Sequence, residues 1–179
     1  MNILTINSVY DKGGAALIAK SIHDYINKGE NRSSIYLYGY NHGKKVVDKN
    51  AIRLSNLLKV KFNSVYFKYT MKDFFDISLK NKNKISNILK NIDIIHLHNI
   101  HGYTFNWYTI LGLIPKNIPV VWTLHDNWIL TGRCATIRSC KEYTSGCKVC
   151  PHKDYYPASI AQNTEIERIF KYKTLKQFD

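Results

Sequence analysis

The sequence of 179 residues has no long apolar run, few acidic residues and no cysteine outside one segment. Each shortage excludes something. The stretch from Tyr108 to Trp122 is broken by Lys116, Asn117 and two prolines, and nothing reaches the roughly 18 consecutive apolar residues that a spanning helix needs. The first residues, Met1 to Gly14, lack a basic head, a long apolar segment and a small-residue cleavage site, so they do not read as a secretory signal, and a cytoplasmic address is expected. Neither G-x-G-x-x-G nor a Walker lysine pattern is present. No RNP-like aromatic motif or helix-turn-helix spacing appears, so nucleic acid is not an expected partner. Internal repeats and low-complexity linkers are also missing, and "KNKNK" (Lys80 to Lys84) reads as a solvated loop.

Scarcity of acid leaves 13 Asp and Glu against 26 Lys and Arg, a net charge of +13. Such an excess invites anionic partners, although lysines scattered through an Asn- and Ile-rich chain produce the same balance without one. One segment concentrates the signal. Residues 57 to 72 interleave Lys59, Lys61, Lys68 and Lys72 with Phe62, Tyr66, Phe67 and Tyr69. This pattern suits a helix lying on an anionic membrane surface, and equally a helix that covers a sheet with its lysines in water.

What is present describes a folded domain. Hydrophobic residues make up 45% and charged residues 22%, and the length fits a single domain over 1–179 able to bury a core. "NILTIN" and "SSIYLYGY" (Ser33 to Tyr40) read as strands. Between them, Gly14 to Gly29 reads as a helix with Ile18, Ile22, Tyr25 and Ile26 on one face. The pattern returns as a helix over Asn83 to Ile92, a strand over Asp93 to Asn99, a helix over Thr104 to Ile114 and a strand over Pro119 to Asp126, with "AIRLSN" (Ala51 to Asn56) a weak strand. Strands alternating with helices predict an α/β fold, a Rossmann-like, doubly wound parallel sheet.

Ligands of such sheets sit beyond the carboxyl ends of the strands. There the sequence places Asn7 and Ser8, then His98 and Asn99, then His125 and Asp126. Gly13 and Gly14 open the first helix, where bare backbone N–H groups can receive a phosphate or a sugar hydroxyl, or simply turn the chain. Period-two alternation puts His96 and His98 on one face. His96, the deeper, is expected as a hydrogen-bonded core residue; His98 and His125, at the exits, can offer a donor and an acceptor to a polar ligand. His101 stays open between the two roles. The spacing of His96, His98 and His101 also approaches the H-x-H-x-D-H signature of metallo-β-lactamase-like hydrolases, with Ile100 in place of the aspartate.

All four cysteines, Cys134, Cys140, Cys147 and Cys150, fall in one segment, 134–150, at spacing C-x5-C-x6-C-x2-C. Clustered thiols in a reducing compartment are candidate ligands of a structural zinc ion, and two disulfides or four unligated thiols are the rivals. A zinc-stabilised binding module is therefore a further functional class.

Taken together, "GGAALIAKSIH", "DIIHLHNIHGY", "IPVVWTLHDNWILTGRC" and "GCKVCP" followed by "YPAS" resemble the amino-terminal half of bacterial family-four glycosyltransferases, like those that build colanic acid, capsule and O-antigen. That resemblance implies a GT-B architecture of two Rossmann-like domains, of which this chain corresponds to an incomplete amino-terminal, acceptor-side one. It further implies sugar transfer with retention, of hexosyltransferase type, from a nucleotide-sugar donor to a glycan or lipid-linked acceptor, without a catalytic metal. Gly13, Gly14, His125 and Asp126 then fall on the donor sugar and phosphates, and His98, Asn99 and His101 line the acceptor cleft. The carboxyl-terminal half that grips the nucleotide is not in this sequence, and the chain alone is expected not to turn over.

Overall fold

A computed structural model describes the chain except Lys44, Lys45, Phe74 and Asp179, with Gln177 described by its backbone alone. Where the sequence suggests one domain over 1–179, the contacts divide the chain into two compact units. The first comprises Met1–Lys61 and Phe75–His125, the second Phe62–Phe74 and Asp126–Asp179.

The first unit is built on five parallel strands: β1 (Asn2–Val9), β2 (Ser33–Tyr40), β3 (Ala51–Arg53), β4 (Ile94–Leu97) and β5 (Val120–Trp122). Their spatial order is β3-β2-β1-β4-β5. Helices α1 (Gly14–Asn27), α3 (Leu79–Leu89) and α4 (Trp107–Leu113) lie between strands in the chain, and α2 (Leu57–Thr70) starts in this unit and ends in the second. The α/β, Rossmann-like fold is as read from the sequence. Because β1 and β2 have neighbours on both sides and helices over both faces, both alternating sets of side chains are buried. One set, with Leu4, Ile6, Leu37, Ile95 and Leu97, joins the main core, which Ile85 and Leu89 of α3 and Ile110 and Leu111 of α4 complete. The other set places Tyr36 and Tyr38 with Tyr10 and Ala19. Each buried Ile or Leu contributes roughly 1.5–3 kcal/mol.

Helix α1 departs from the expected face. Its buried residues are Ala16, Ala19, His23 and Ile26, whereas Ile18 and Tyr25 are 48% and 65% exposed. Small alanines let the helix approach the sheet closely, and His23 is accommodated because both ring nitrogens are satisfied. Nδ1 shares a hydrogen bond of 2.8 Å with Ser34 Oγ, and Nε2 one of 2.8 Å with Asp48 Oδ2, to which the Tyr10 hydroxyl also donates at 3.1 Å. Burial alone would raise the Asp48 carboxyl; the Asn50 backbone N–H and His23 outweigh it and hold the group below its ordinary range.

Helix α3 begins before the expected Asn83 and absorbs the "KNKNK" run, which is therefore not a loop. Ser78 accepts from the Asn81 N–H as the cap, and the lysines and asparagines occupy the turns facing water while Ile85 and Leu89 face inward. Asn106 caps α4 in the same way, accepting from the N–H groups of Tyr108 and Thr109 at 3.0 and 3.3 Å.

The second unit contains the later turns of α2, the short helix α5 (Glu142–Ser145), α6 (Glu165–Leu175) and 3-10 turns at Trp128–Leu130 and Lys176–Phe178. Its buried apolar residues, among those described, are Trp128, Ile129, Cys147 and Pro157. Phe62, Val65 and Tyr69 of α2 remain exposed. No helix among the described residues is long and apolar enough to cross a membrane.

Candidate functional site

The order β3-β2-β1-β4-β5 reverses direction between β1 and β4, and such a switch point opens a crevice at the carboxyl ends of the strands. Here the two exits are stitched together. The Ser8 N–H donates to the Asn99 carbonyl at 2.7 Å and its hydroxyl to the same oxygen at 2.8 Å; that hydroxyl also meets the His101 carbonyl. Asn7 accepts from the Asn99 N–H at 3.0 Å and donates to the Val9 carbonyl at 2.6 Å. Asn99 and His101 thus shape the crevice through their backbones, and the His101 side chain is buried.

The histidines converge beside this crevice. His98 Nδ1 and His125 Nε2 share a hydrogen bond of 2.8 Å, with the rings stacked at 5.1 Å between centroids. His96 lies against His98 at 4.1 Å and pairs its Nε2 with Thr123 Oγ1 at 2.8 Å. The indole N–H of Trp122 donates to the His98 carbonyl at 2.9 Å and locks the strand exit. The expected order of depth is inverted. His98 is 1% exposed, while His96 and His125 are half-buried, because β5 is a three-residue edge strand and the stacked His125 ring covers His98 instead. Burial, followed by the neighbouring His96 and His125, pushes His98 down to about 3, so its imidazole is neutral at physiological pH. Burial and His125 lower His96 as well. The Nε2 atom of His98 is buried with no hydrogen-bond partner among the described residues.

Gly13 and Gly14 follow β1 at the same edge. Gly13, with φ +92°, is the N-cap of α1; no side chain caps the helix and no acid occupies its first turn. A Cβ added at either glycine would meet nothing within 4 Å, so the helix start is sterically open. Asp126 belongs to the second unit, where its Oδ1 accepts from the Trp128 N–H at 2.9 Å and closes the turn at Trp128–Leu130. A depression of about 650 Å3 lined by Asn2, Ser33, Lys84 and Asn91 lies at the opposite, amino-terminal edge of the sheet, where no strand-exit loop reaches.

The arrangement does not favour a histidine metal centre. His96 and His98 spend a ring nitrogen each on Thr123 and His125. Among the described residues, the group whose donor atoms come within 4.8 Å of one another is His23, Asp24 and Asp48. No motif marked that group, because Asp48 reaches His23 from a loop 25 positions away.

In the second unit the four cysteines line one cavity. All are free thiols. Burial pushes the Cys134 thiol up to about 11, and the adjacent Cys150 and Cys140 act in the same direction while Arg133 opposes them.

Comparison with known proteins adds kinship. The chain is similar to the provisionally named colanic acid biosynthesis glycosyl transferase WcaC of Escherichia coli (strain K12), at 30% identity over 171 residues. The match takes in 88% of this chain, which spans about two-fifths (41%) of the relative's length. No family model matches the chain, and no solved structure matches it.

Proposed function

We propose that the chain is the acceptor-side half of a GT-B glycosyltransferase of polysaccharide biosynthesis, transferring a sugar from a nucleotide-sugar donor to a glycan or lipid-linked acceptor with retention. The observation that carries this reading is the convergence, on the carboxyl edge of one parallel sheet, of an open helix start at Gly13–Gly14 and a paired His98–His125. The similarity to a colanic acid glycosyl transferase supports the same class.

In transfer, the bond between the sugar's anomeric carbon and the diphosphate oxygen breaks, the diphosphate leaves with the electron pair, and an acceptor hydroxyl bonds to that carbon as it loses its proton. The first-turn N–H groups of α1, at the positive end of the helix dipole, suit the donor phosphates. His125 suits a sugar hydroxyl. His98, held neutral and buried, fixes the ring orientation and tautomer of His125 through their shared bond. Asn99 and His101 hold the acceptor crevice open through the Ser8 and Asn7 bridges. Half a cleft neither excludes water nor surrounds the departing diphosphate, so this chain binds donor weakly and does not turn over. Phe62, Val65 and Tyr69, exposed beside Lys68 and Lys72 on the second unit, suit contact with the anionic cytoplasmic face of a membrane that carries a lipid-linked acceptor.

Saturation-transfer NMR with UDP- and GDP-sugars tests the reading on the 179-residue chain. Transfer to donor protons is expected, reduced several-fold by Gly14→Asp, which places a negative charge in the first turn, where a helix tolerates one, and by His125→Ala. Absence of transfer, or transfer indifferent to both substitutions, overturns the site. Sugar transfer catalysed by the chain alone overturns its description as half a cleft.

A further inference from the structure

The second unit presents an imbalance that its own side chains do not resolve. Arg133 is 1% exposed, and no carboxylate pairs with it among the described residues. Its Nη1 donates to the carbonyls of Tyr155, at 2.8 Å, and Pro157; its Nη2 donates to the His152 carbonyl at 2.5 Å and to Cys150 Sγ at 3.2 Å. Lys171 is 2% exposed and likewise has no carboxylate in an ion pair among the described residues; its Nζ donates to the Trp128 carbonyl at 2.6 Å and lies 4.2 Å from the centre of the Trp128 ring. Carbonyls satisfy the donors of Arg133 without cancelling its charge, while burial pushes Lys171 down to about 7 against the opposing pull of Cys147, Cys134, Glu167 and Asp126. Uncompensated buried charges cost several kcal/mol each.

What the two share is sulfur in their surroundings: Arg133 donates to Cys150 Sγ, and Cys147 and Cys134 lead the groups that favour the charged form of Lys171. Cys134, Cys140, Cys147 and Cys150 line a cavity of about 20 Å3, room for one body of water size. Cys147 Sγ accepts from the Gly132 N–H at 3.3 Å, as Cys150 Sγ does from Arg133. N–H donors aimed at sulfur are the supporting contacts that thiolate ligands of a metal receive. Cys147 and Cys150 form a C-x2-C turn, with Gly146 and Cys147 both at positive φ, 111° and 63°. The unit is also short of apolar core: its buried apolar residues among those described, Trp128, Ile129, Cys147 and Pro157, belong to neither hydrophobic cluster. Small units without a core are held by a metal or by disulfides.

We propose that Cys134, Cys140, Cys147 and Cys150 bind one zinc ion as a tetrathiolate structural site, and that Arg133 and Lys171 are its built-in counter-charges. Four thiolates and Zn2+ sum to a charge of −2, which the buried guanidinium and ammonium balance. Each thiol yields one proton to solvent as its Zn–S bond forms, with no change of oxidation state. Tetrahedral zinc with Zn–S bonds of about 2.3 Å sets sulfur atoms about 3.8 Å apart. The thiols are spread more widely than that around the cavity, so binding requires rotamer changes of cysteine side chains that already face a common space.

The test is metal analysis of the 179-residue chain purified with a thiol reductant, together with cobalt substitution. One zinc per chain is expected, replaceable by Co2+ with the visible d–d bands and sulfur-to-cobalt charge transfer of a tetrahedral tetrathiolate. Cys147→Ser and Cys150→Ser should lose the metal, His98→Ala and His23→Ala should keep it, and Lys171→Met should weaken zinc affinity about 10–100-fold. The cobalt spectrum needs no variant, so a misfolded mutant does not remove the test. Four reactive thiols with no metal, a disulfide among these cysteines found by mass spectrometry in the reduced preparation, or zinc that departs with His23 rather than with Cys147 would each overturn the proposal. Unchanged affinity in folded Lys171→Met would overturn the counter-charge part.

Discussion

His98 should make the fold sensitive to mild acid, by an amount that follows from its burial. Its folded pKa, about 3, lies below the ordinary histidine value of 6.5. A base with a depressed folded pKa takes up its proton more readily in the unfolded chain. Between pH 6.5 and 3 the unfolded state therefore binds more protons, and stability falls as pH drops through 6.5. At about 1.36 kcal/mol per pH unit, the penalty at pH 5.0 is about 2 kcal/mol, against almost nothing at pH 7.5. Full exposure of the shift near pH 3 would cost about 5 kcal/mol, comparable with the whole stability of a marginal domain. Urea unfolding at pH 7.5 and 5.0, followed by far-ultraviolet circular dichroism, measures the loss. His98→Asn is the proper reference, because an amide can keep the bond to His125 and does not titrate. His96, Asp48 and Lys171 remain in both proteins and largely cancel. The wild type should lose about 2 kcal/mol more than His98→Asn between the two pH values. Equal losses would mean that His98 is not held neutral, and with it would fall the idea that this ring fixes the tautomer of His125.

Two other substitutions probe the strand exits. Gly13→Ala forces a side chain onto φ +92° and ψ 157°, a region reserved for glycine, and should cost about 1–3 kcal/mol in thermal unfolding; Gly14→Ala, helical and sterically free, should be neutral or stabilising by up to about 1 kcal/mol. Asn7→Ala removes the bond that ties β1 to the exit of β4 at Asn99 and the one that braces Val9, and should lower stability by about 1–3 kcal/mol, read by chemical denaturation, with increased amide exchange at Asn99.

The sheet was legible because its strands are short apolar runs set between turn residues and helices. Ser33–Tyr40 appears with the boundaries read from sequence, and even the three-residue Ala51–Arg53 lies inside the weak run assigned to it. Helix faces were less legible. An isoleucine stripe marked α1, yet its packed face is alanine and histidine, and only the position of Asp48 explains why a histidine can sit there. Lysine and asparagine between Lys80 and Lys84 suggested a loop by composition, whereas Ser78 two residues upstream supplied the cap that carries them into α3. At the site, period-two alternation correctly put His96 and His98 on one face, but depth along a strand did not translate into burial, because the covering element was the ring of His125.

The second unit shows most sharply what a one-dimensional reading misses. Cysteine spacing is visible to anyone who counts, and it left zinc, disulfides and free thiols open. Arg133 and Lys171 look, in the sequence, like any of the 26 basic residues, and nothing in their neighbours says that they are buried. Charge becomes informative only when solvent is taken away from it. A surface lysine answers to water, while a buried one requires an anion, a set of oriented dipoles or the loss of its proton. A guanidinium does not have the last choice, since it stays protonated in proteins. Arg133, with no carboxylate partner among the described residues, is left with the carbonyl dipoles of Tyr155, Pro157 and His152 and with the sulfur of Cys150, and the cavity wall beside it is made of sulfur.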